Sequence, residues 1–102
     1  MVRHDKLVRD RIPELIADNG EHAEYRHVTG EEHLQALFAK LAEECSEFEQ
    51  ERSVEELADL LEVVRSLAIL TGHDFGDVVD VATEKRSTHG GLLDGVYLLT
   101  TS

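Results

Sequence analysis

Two consecutive stretches with helical apolar periodicity, separated by only a few residues, constrain the fold of this 102-residue chain more than any other feature. Thr29-Gly-Glu-Glu32 precedes the first stretch and Ser53-Val-Glu-Glu56 opens the second, and both match the capping box that begins a helix. Because the connection is short, the two helices are expected to fold back on each other as an antiparallel hairpin. The side chains predicted to face the core are Leu34, Leu37, Phe38, Leu41, Cys45 and Phe48 on the first helix and Leu57, Leu60, Leu61, Val64, Leu67 and Ala68 on the second.

Shorter elements flank this hairpin. Residues 11–19 read as a helix with Pro13 in its first turn, and Asp74 is placed to cap a further helix that ends near Arg86 or His89. Residues 22–28 and 95–101 carry weak strand signals and are predicted to pair as a minor β-ribbon. The expected fold is therefore an all-α bundle of three to four helices with that ribbon, in a single domain spanning residues 1–102.

Four carboxylates are predicted to converge near the turn of the hairpin. If the helices pair antiparallel about residues 51 and 52, Glu47 faces Glu56 and Glu44 faces Asp59. Carboxylates brought so close raise one another's pKa unless a cation neutralises them, and Mg²⁺ prefers oxygen ligands. The pattern therefore predicts a magnesium site.

The sequence assigns different roles to two glutamates of this region, Glu43 and Glu56. On a helical wheel, Glu43 lies nearly opposite the centre of the apolar stripe, which indicates a role outside the first ligand shell. Glu56 is also the third helical residue after Ser53, so its carboxylate has the alternative of reaching back to the helix N-terminus. Both readings of Glu56 remain open on sequence alone.

The charge distribution limits the partners of the chain. A formal net charge of −12 argues against non-specific nucleic-acid binding, which depends on basic side chains that neutralise phosphates. No apolar window is long enough to span a membrane, and the first residues lack the apolar region of a secretion signal, so a cytoplasmic location is expected. The single Cys45 is expected to be a buried, reduced thiol. Cationic side chains that are candidates for binding an anionic substrate are Lys6, Arg9, Arg11, Lys40, Lys85 and Arg86.

The acidic pattern resembles a known family. Glu43-Glu44-Cys-Ser-Glu47 followed by Glu56-Leu-Ala-Asp59 is similar to the paired acidic motif of the MazG-like all-α nucleoside triphosphate pyrophosphohydrolases, a superfamily that includes the phosphoribosyl-ATP pyrophosphohydrolases. The opening Lys6-Leu-Val-Arg9-Asp10-Arg11-Ile-Pro13, and Glu84-Lys85-Arg86 with Gly90-Gly91, look like a subgroup labelled phosphoribosyl-ATP pyrophosphohydrolase-like. The resemblance thus covers nearly the whole chain.

This resemblance implies Mg²⁺-dependent hydrolysis of a nucleotide between its α- and β-phosphates, with Mn²⁺ as a substitute ion. The implied metal ligands are Glu44, Glu47, Glu56 and Asp59, with Glu44 and Glu47 in catalytic roles. The wide apolar arc of the second long helix predicts a homodimer or higher oligomer. Two alternatives stay open: the phosphoribosyl-ATP pyrophosphohydrolase of histidine biosynthesis, and a non-catalytic helical module for binding or dimerisation.

Overall fold

Four α-helices make up the regular secondary structure of the chain. In the computed structural model, which describes residues 1–102, these are α1 (Ile12–Asp18), α2 (Gly30–Gln50), α3 (Val54–Leu70) and α4 (Phe75–His89). The all-α prediction is confirmed, and the helices lie where their sequence signals place them. Gly72 and Gly90 adopt φ angles of 88° and 86° just after α3 and α4, a left-handed conformation that ends a helix at little cost in glycine.

The helix N-termini use their predicted caps in two cases out of three. The Ser53 hydroxyl accepts a hydrogen bond from the backbone of Glu56, and the Asp74 carboxylate accepts one from the backbone of Asp77. Thr29 also precedes its helix in an extended conformation, but its side chain makes no capping bond. Glu32, the other half of that predicted capping box, instead pairs with Arg26. The start of α2 was predicted correctly, but the predicted cap was wrong, because a salt bridge draws Glu32 away.

The core lies between α2 and α3, and α4 packs against α3. The buried residues are few: Leu37 on α2 and Val63 and Ala68 on α3, together with the charged Glu44 of α2.

Several side chains predicted to face inward are exposed: Phe38, Cys45, Leu57, Leu61 and Val64. The three on α3 are exposed because α3 is apolar over more of its circumference than α2 and α4 together cover. Phe38 and Cys45 lie on α2, which among the helices packs only against α3, so the prediction of a buried Cys45 was wrong as well.

The predicted β-ribbon does not form. Residues 22–28 and 95–101 contain no strand and are not paired with each other. A two-stranded ribbon is marginally stable unless a further strand or a helix packs on its apolar face, and most residues of the second segment are exposed. Strand propensity alone did not suffice here.

The isolated chain is extended for its length. Its radius of gyration is 17.7 Å and its dimensions are 60 × 32 × 24 Å, whereas a compact domain of this length has a radius of gyration of about 13 Å. None of the four helices combines the length and the apolarity needed to cross a membrane.

Candidate metal centre

Five carboxylates form an acidic cluster at the closed end of the α2–α3 hairpin. Oxygen atoms of Glu44, Glu56 and Asp59 lie within 4.8 Å of one another, and oxygen atoms of Glu43, Glu44 and Glu47 do so as well. Glu44 belongs to both groups and therefore joins them. The antiparallel pairing predicted from the sequence is thus the arrangement that brings the four predicted ligands together.

Glu44 is the buried centre of the acidic cluster. Only 5% of its side chain is exposed, and its Oε1 lies 3.2 Å from Nζ of Lys40 one turn earlier on α2. Its Oε2 is buried and has no hydrogen-bond partner. A buried charged oxygen without a partner costs free energy, so this atom is a position at which a cation would be stabilising.

Glu56 presents a second buried oxygen without a partner, again Oε2. The Ser53 cap uses the backbone N–H of Glu56, and the Glu56 carboxylate makes no return bond to the helix N-terminus. Burial raises the pKa of Glu56, and the neighbouring carboxylates of Glu47, Asp59 and Glu44 raise it further. The Glu56 carboxylate therefore does not cap the helix, which excludes the capping alternative, and its role as a metal ligand stays a prediction.

Glu43 lies closer to the other carboxylates than the helical wheel indicates. Its Oε1 accepts a hydrogen bond from Lys6 at 3.2 Å and lies 3.6 Å from Nζ of Lys40. Partial burial opposes ionisation, but the bond from Lys6 and the charge of Lys40 outweigh it and hold the pKa of Glu43 below its usual value. The contact with Lys40 could have been found in the sequence, because Lys40 precedes both Glu43 and Glu44 by about one helical turn.

The N-terminal arm, residues 1–11, supplies two of the cations at the acidic cluster. Besides the Lys6 contact, Nη2 of Arg9 donates to Oδ1 of Asp59 at 2.8 Å, and this hydrogen bond raises the pKa of the guanidinium. The arm thus bridges both helices of the hairpin, touching α2 through Lys6 and α3 through Arg9.

Three of the six predicted substrate-binding cations lie at the acidic cluster, namely Lys6, Arg9 and Lys40. Arg11 pairs instead with Glu14 of α1. Lys85 and Arg86, near the end of α4, form no ion pair with the cluster. Half of the predicted cations therefore lie where they could contact a substrate bound at the acidic cluster, and the other half form no ion pair with it.

A shallow pocket lies next to the acidic cluster, between the N-terminal arm and α2. Its charged lining comes from Asp5, Lys6, Lys40 and Glu43, and its remaining lining from Leu7, Ala36 and Ala39. Two ammonium groups in one small pocket suit an anion that approaches the carboxylates from this side. The other clear depression, lined by His73, Asp77, Val78 and Val81, has no fixed cation and no link to the cluster.

Comparisons with protein-family models, with curated proteins and with solved structures found no match. The site itself combines converging carboxylate oxygens, two of them buried without a hydrogen-bond partner, with cationic side chains of the kind that bind phosphate.

Proposed function

We propose that this chain is a Mg²⁺-dependent nucleotide pyrophosphohydrolase of the MazG-like kind, which splits a nucleoside triphosphate into a nucleoside monophosphate and pyrophosphate. The observation that carries the proposal is the pair of buried carboxylate oxygens without partners, Oε2 of Glu44 and Oε2 of Glu56, in one acidic cluster. The proposal includes a cytoplasmic enzyme that acts as a homodimer or higher oligomer on the nucleotide pool.

The donor set fits a hard divalent cation. Glu44, Glu47, Glu56 and Asp59 offer only oxygen, and neither group of converging side chains contains histidine or cysteine, which a softer metal would favour. When bound by these residues, Mg²⁺ would neutralise their charge, polarise phosphate oxygens and make a bound water more acidic.

The cationic side chains support binding of a polyphosphate. Lys6 and Lys40 line the pocket beside the acidic cluster, and Arg9 lies on Asp59 within the cluster. The guanidinium has donors suited to paired phosphate oxygens, and the two ammonium groups act as point charges. In this proposal the three side chains exchange their carboxylate partners for substrate phosphates.

Glu47 is the member of the cluster best placed to take up a proton. It is exposed whereas Glu44 is buried, so a carboxylate at position 47 can exchange protons with solvent. In the proposed reaction Glu47 accepts a proton from the attacking water while the water oxygen bonds to the α-phosphorus, and Glu44 orients the site. The bond from the α-phosphorus to the bridging oxygen breaks, and its electron pair leaves with pyrophosphate, so that a nucleoside monophosphate remains.

The test is a substrate panel with a pyrophosphate readout in the presence of Mg²⁺. It includes ribonucleoside triphosphates, deoxyribonucleoside triphosphates and phosphoribosyl-ATP. Release of pyrophosphate from a nucleoside triphosphate is the expected result, and turnover of phosphoribosyl-ATP alone would assign the histidine-pathway alternative. No pyrophosphate from any of them would refute both enzymatic readings and favour the non-catalytic module.

A matched pair of variants ties the activity to the cluster. Glu44→Gln keeps the shape of the side chain but removes its charge, and it is expected to abolish turnover while the helical circular dichroism remains. Glu49→Gln makes the same change on the exposed side of α2 and is expected to leave turnover unchanged. Retained activity in Glu44→Gln would move the catalytic site elsewhere.

A further inference from the structure

Two apolar surfaces of the chain have no partner within the same chain. The first, the α3 ridge, consists of Val54, Leu57, Leu61 and Val64, which are spaced to lie along one face of α3 and are all exposed. The second, the C-terminal segment, covers residues 92–99. Its large apolar side chains are between 75% and 102% exposed, so they touch almost nothing of their own molecule: Leu92, Leu93, Val96, Tyr97, Leu98 and Leu99.

The accessible surface shows how much of the chain is left uncovered. The chain exposes 9034 Å², whereas a folded monomer of the same mass exposes about 5,800 Å². Covering roughly a third of that excess on each of two copies would bury about 2,000 Å² in total, which is where obligate homodimer interfaces begin. The uncovered surface is therefore sufficient for a stable dimer.

The charge pattern decides which surfaces of two copies are able to meet. With a net charge of −12, two copies repel each other unless they approach through surfaces poor in charge. The α3 ridge has no charged member, and Asp94 is the one charged side chain within the C-terminal segment. Every copy carries both surfaces. In a dimer with a two-fold axis, the C-terminal segment of each copy can therefore cover the α3 ridge of the other.

We propose that this chain forms a two-fold dimer in which the C-terminal segment of each copy covers the α3 ridge of the other. The exchange buries both apolar surfaces at once and accounts for the extended shape of the single chain. It places the covering segment of the second copy on α3, the helix that also carries Glu56 and Asp59 of the acidic cluster. The proposal does not depend on the metal chemistry.

The test uses thiol cross-linking in a Cys45→Ser background, which removes the only native thiol. The full chain carries Leu61→Cys in the ridge and Leu98→Cys in the segment, and a short bis-maleimide reagent joins thiols that lie close together. A covalent dimer on denaturing gels is the expected result. A cross-linked monomer would show that the segment folds back on its own chain, and the absence of cross-linking would also overturn the proposal.

Light scattering gives an independent readout. Leu61→Glu and Leu98→Glu are each expected to convert the dimer to a monomer at micromolar concentration with the helical content kept. Val81→Glu is the matched control, because Val81 on α4 is 53% exposed and Leu61 is 56% exposed. A monomeric parent chain, or dissociation by Val81→Glu as well, would contradict the assigned surfaces.

Discussion

Arg9 donates a hydrogen bond to Asp59 at 2.8 Å across fifty residues of sequence, so a cation of the chain already lies on one of the proposed metal ligands. Lys40 stands in the same relation to Glu44, and Lys6 pairs with the neighbouring Glu43. The acidic cluster is thus partly neutralised by cations of the same chain, and the pairs of Arg9 and Lys40 would have to rearrange when a divalent ion binds. The predictions below follow from that competition.

Replacing Arg9 is expected to tighten Mg²⁺ binding. In Arg9→Gln no guanidinium competes for Asp59, and because the pair is exposed its contribution is about 1 kcal/mol or less. The Mg²⁺ dissociation constant, measured by titration calorimetry, should therefore fall by up to about fivefold. Arg3→Gln, which breaks a similar pair with Asp5 away from the cluster, is the control and should leave Mg²⁺ affinity unchanged.

Replacing Lys40 is expected to destabilise the metal-free protein. Lys40→Met leaves the buried Glu44 carboxylate without its cation, and removing one partner of a fully buried pair costs about 3–5 kcal/mol. Because 19% of the Lys40 side chain is exposed, we expect a loss nearer 2 kcal/mol in urea unfolding, roughly half the fully buried figure. Saturating Mg²⁺ should restore part of it.

Arg65→Met is the matched control for Lys40→Met. Arg65 forms an exposed pair with Glu62 on α3, so its loss should cost about 0.5 kcal/mol or less. Equal destabilisation by the two substitutions would show that Glu44 does not need the charge of Lys40.

Glu56 is expected to make the stability of the metal-free protein fall as the pH rises. Its pKa is raised in the folded state, so between its unfolded and folded pKa values the folded chain binds more protons than the unfolded chain. Stability therefore falls as the pH rises through this window, and above it the charge of Glu56 opposes folding. Glu56→Gln removes that cost and should raise the melting temperature at neutral pH more than at acid pH.

Glu55→Gln changes the exposed neighbour of Glu56 and should show no such pH dependence. In Glu56→Gln, stabilisation by Mg²⁺ should also shrink, because a proposed ligand is lost. A melting temperature that falls at neutral pH in Glu56→Gln would contradict the cost assigned to its charge.

The two hairpin caps are expected to differ in strength. Ser53→Ala removes a hydrogen bond to the backbone of Glu56 and should lower the free energy of unfolding by about 1 kcal/mol. Thr29→Ala should change it by much less, since the Thr29 side chain makes no capping bond. Chemical denaturation of both variants checks this, and equal losses would contradict it.

The helices and the acidic cluster were predictable because both depend on residues close in sequence. Periodicity, the short connection and the spacing from Glu44 to Asp59 determine which side chains meet in an antiparallel hairpin. The pairing of Glu43 with Lys6 and Lys40 was not predicted, because a helical wheel describes one helix in isolation and omits side chains from other segments.

The remaining errors concern long-range contacts. Periodicity marks Leu57, Leu61 and Val64 as apolar but does not say whether their neighbour belongs to the same chain. The segment 95–101 has strand-forming residues, but nothing in the same chain packs against it, and it forms no strand. The Arg9 contact with Asp59 is likewise set by the path of the arm, which local pattern does not determine.

The short connection of the hairpin also sets the order in which the site is assembled. The acidic carboxylates come from residues 43–59, so we expect their contacts to form earlier in folding than those of Lys6 and Arg9, which must close loops of 37 and 50 residues. The nascent hairpin would then experience the repulsion of its carboxylates before the N-terminal arm arrives. Divalent ions in the surrounding solution would then accelerate hairpin closure, acting on the folding rate as well as on the finished site.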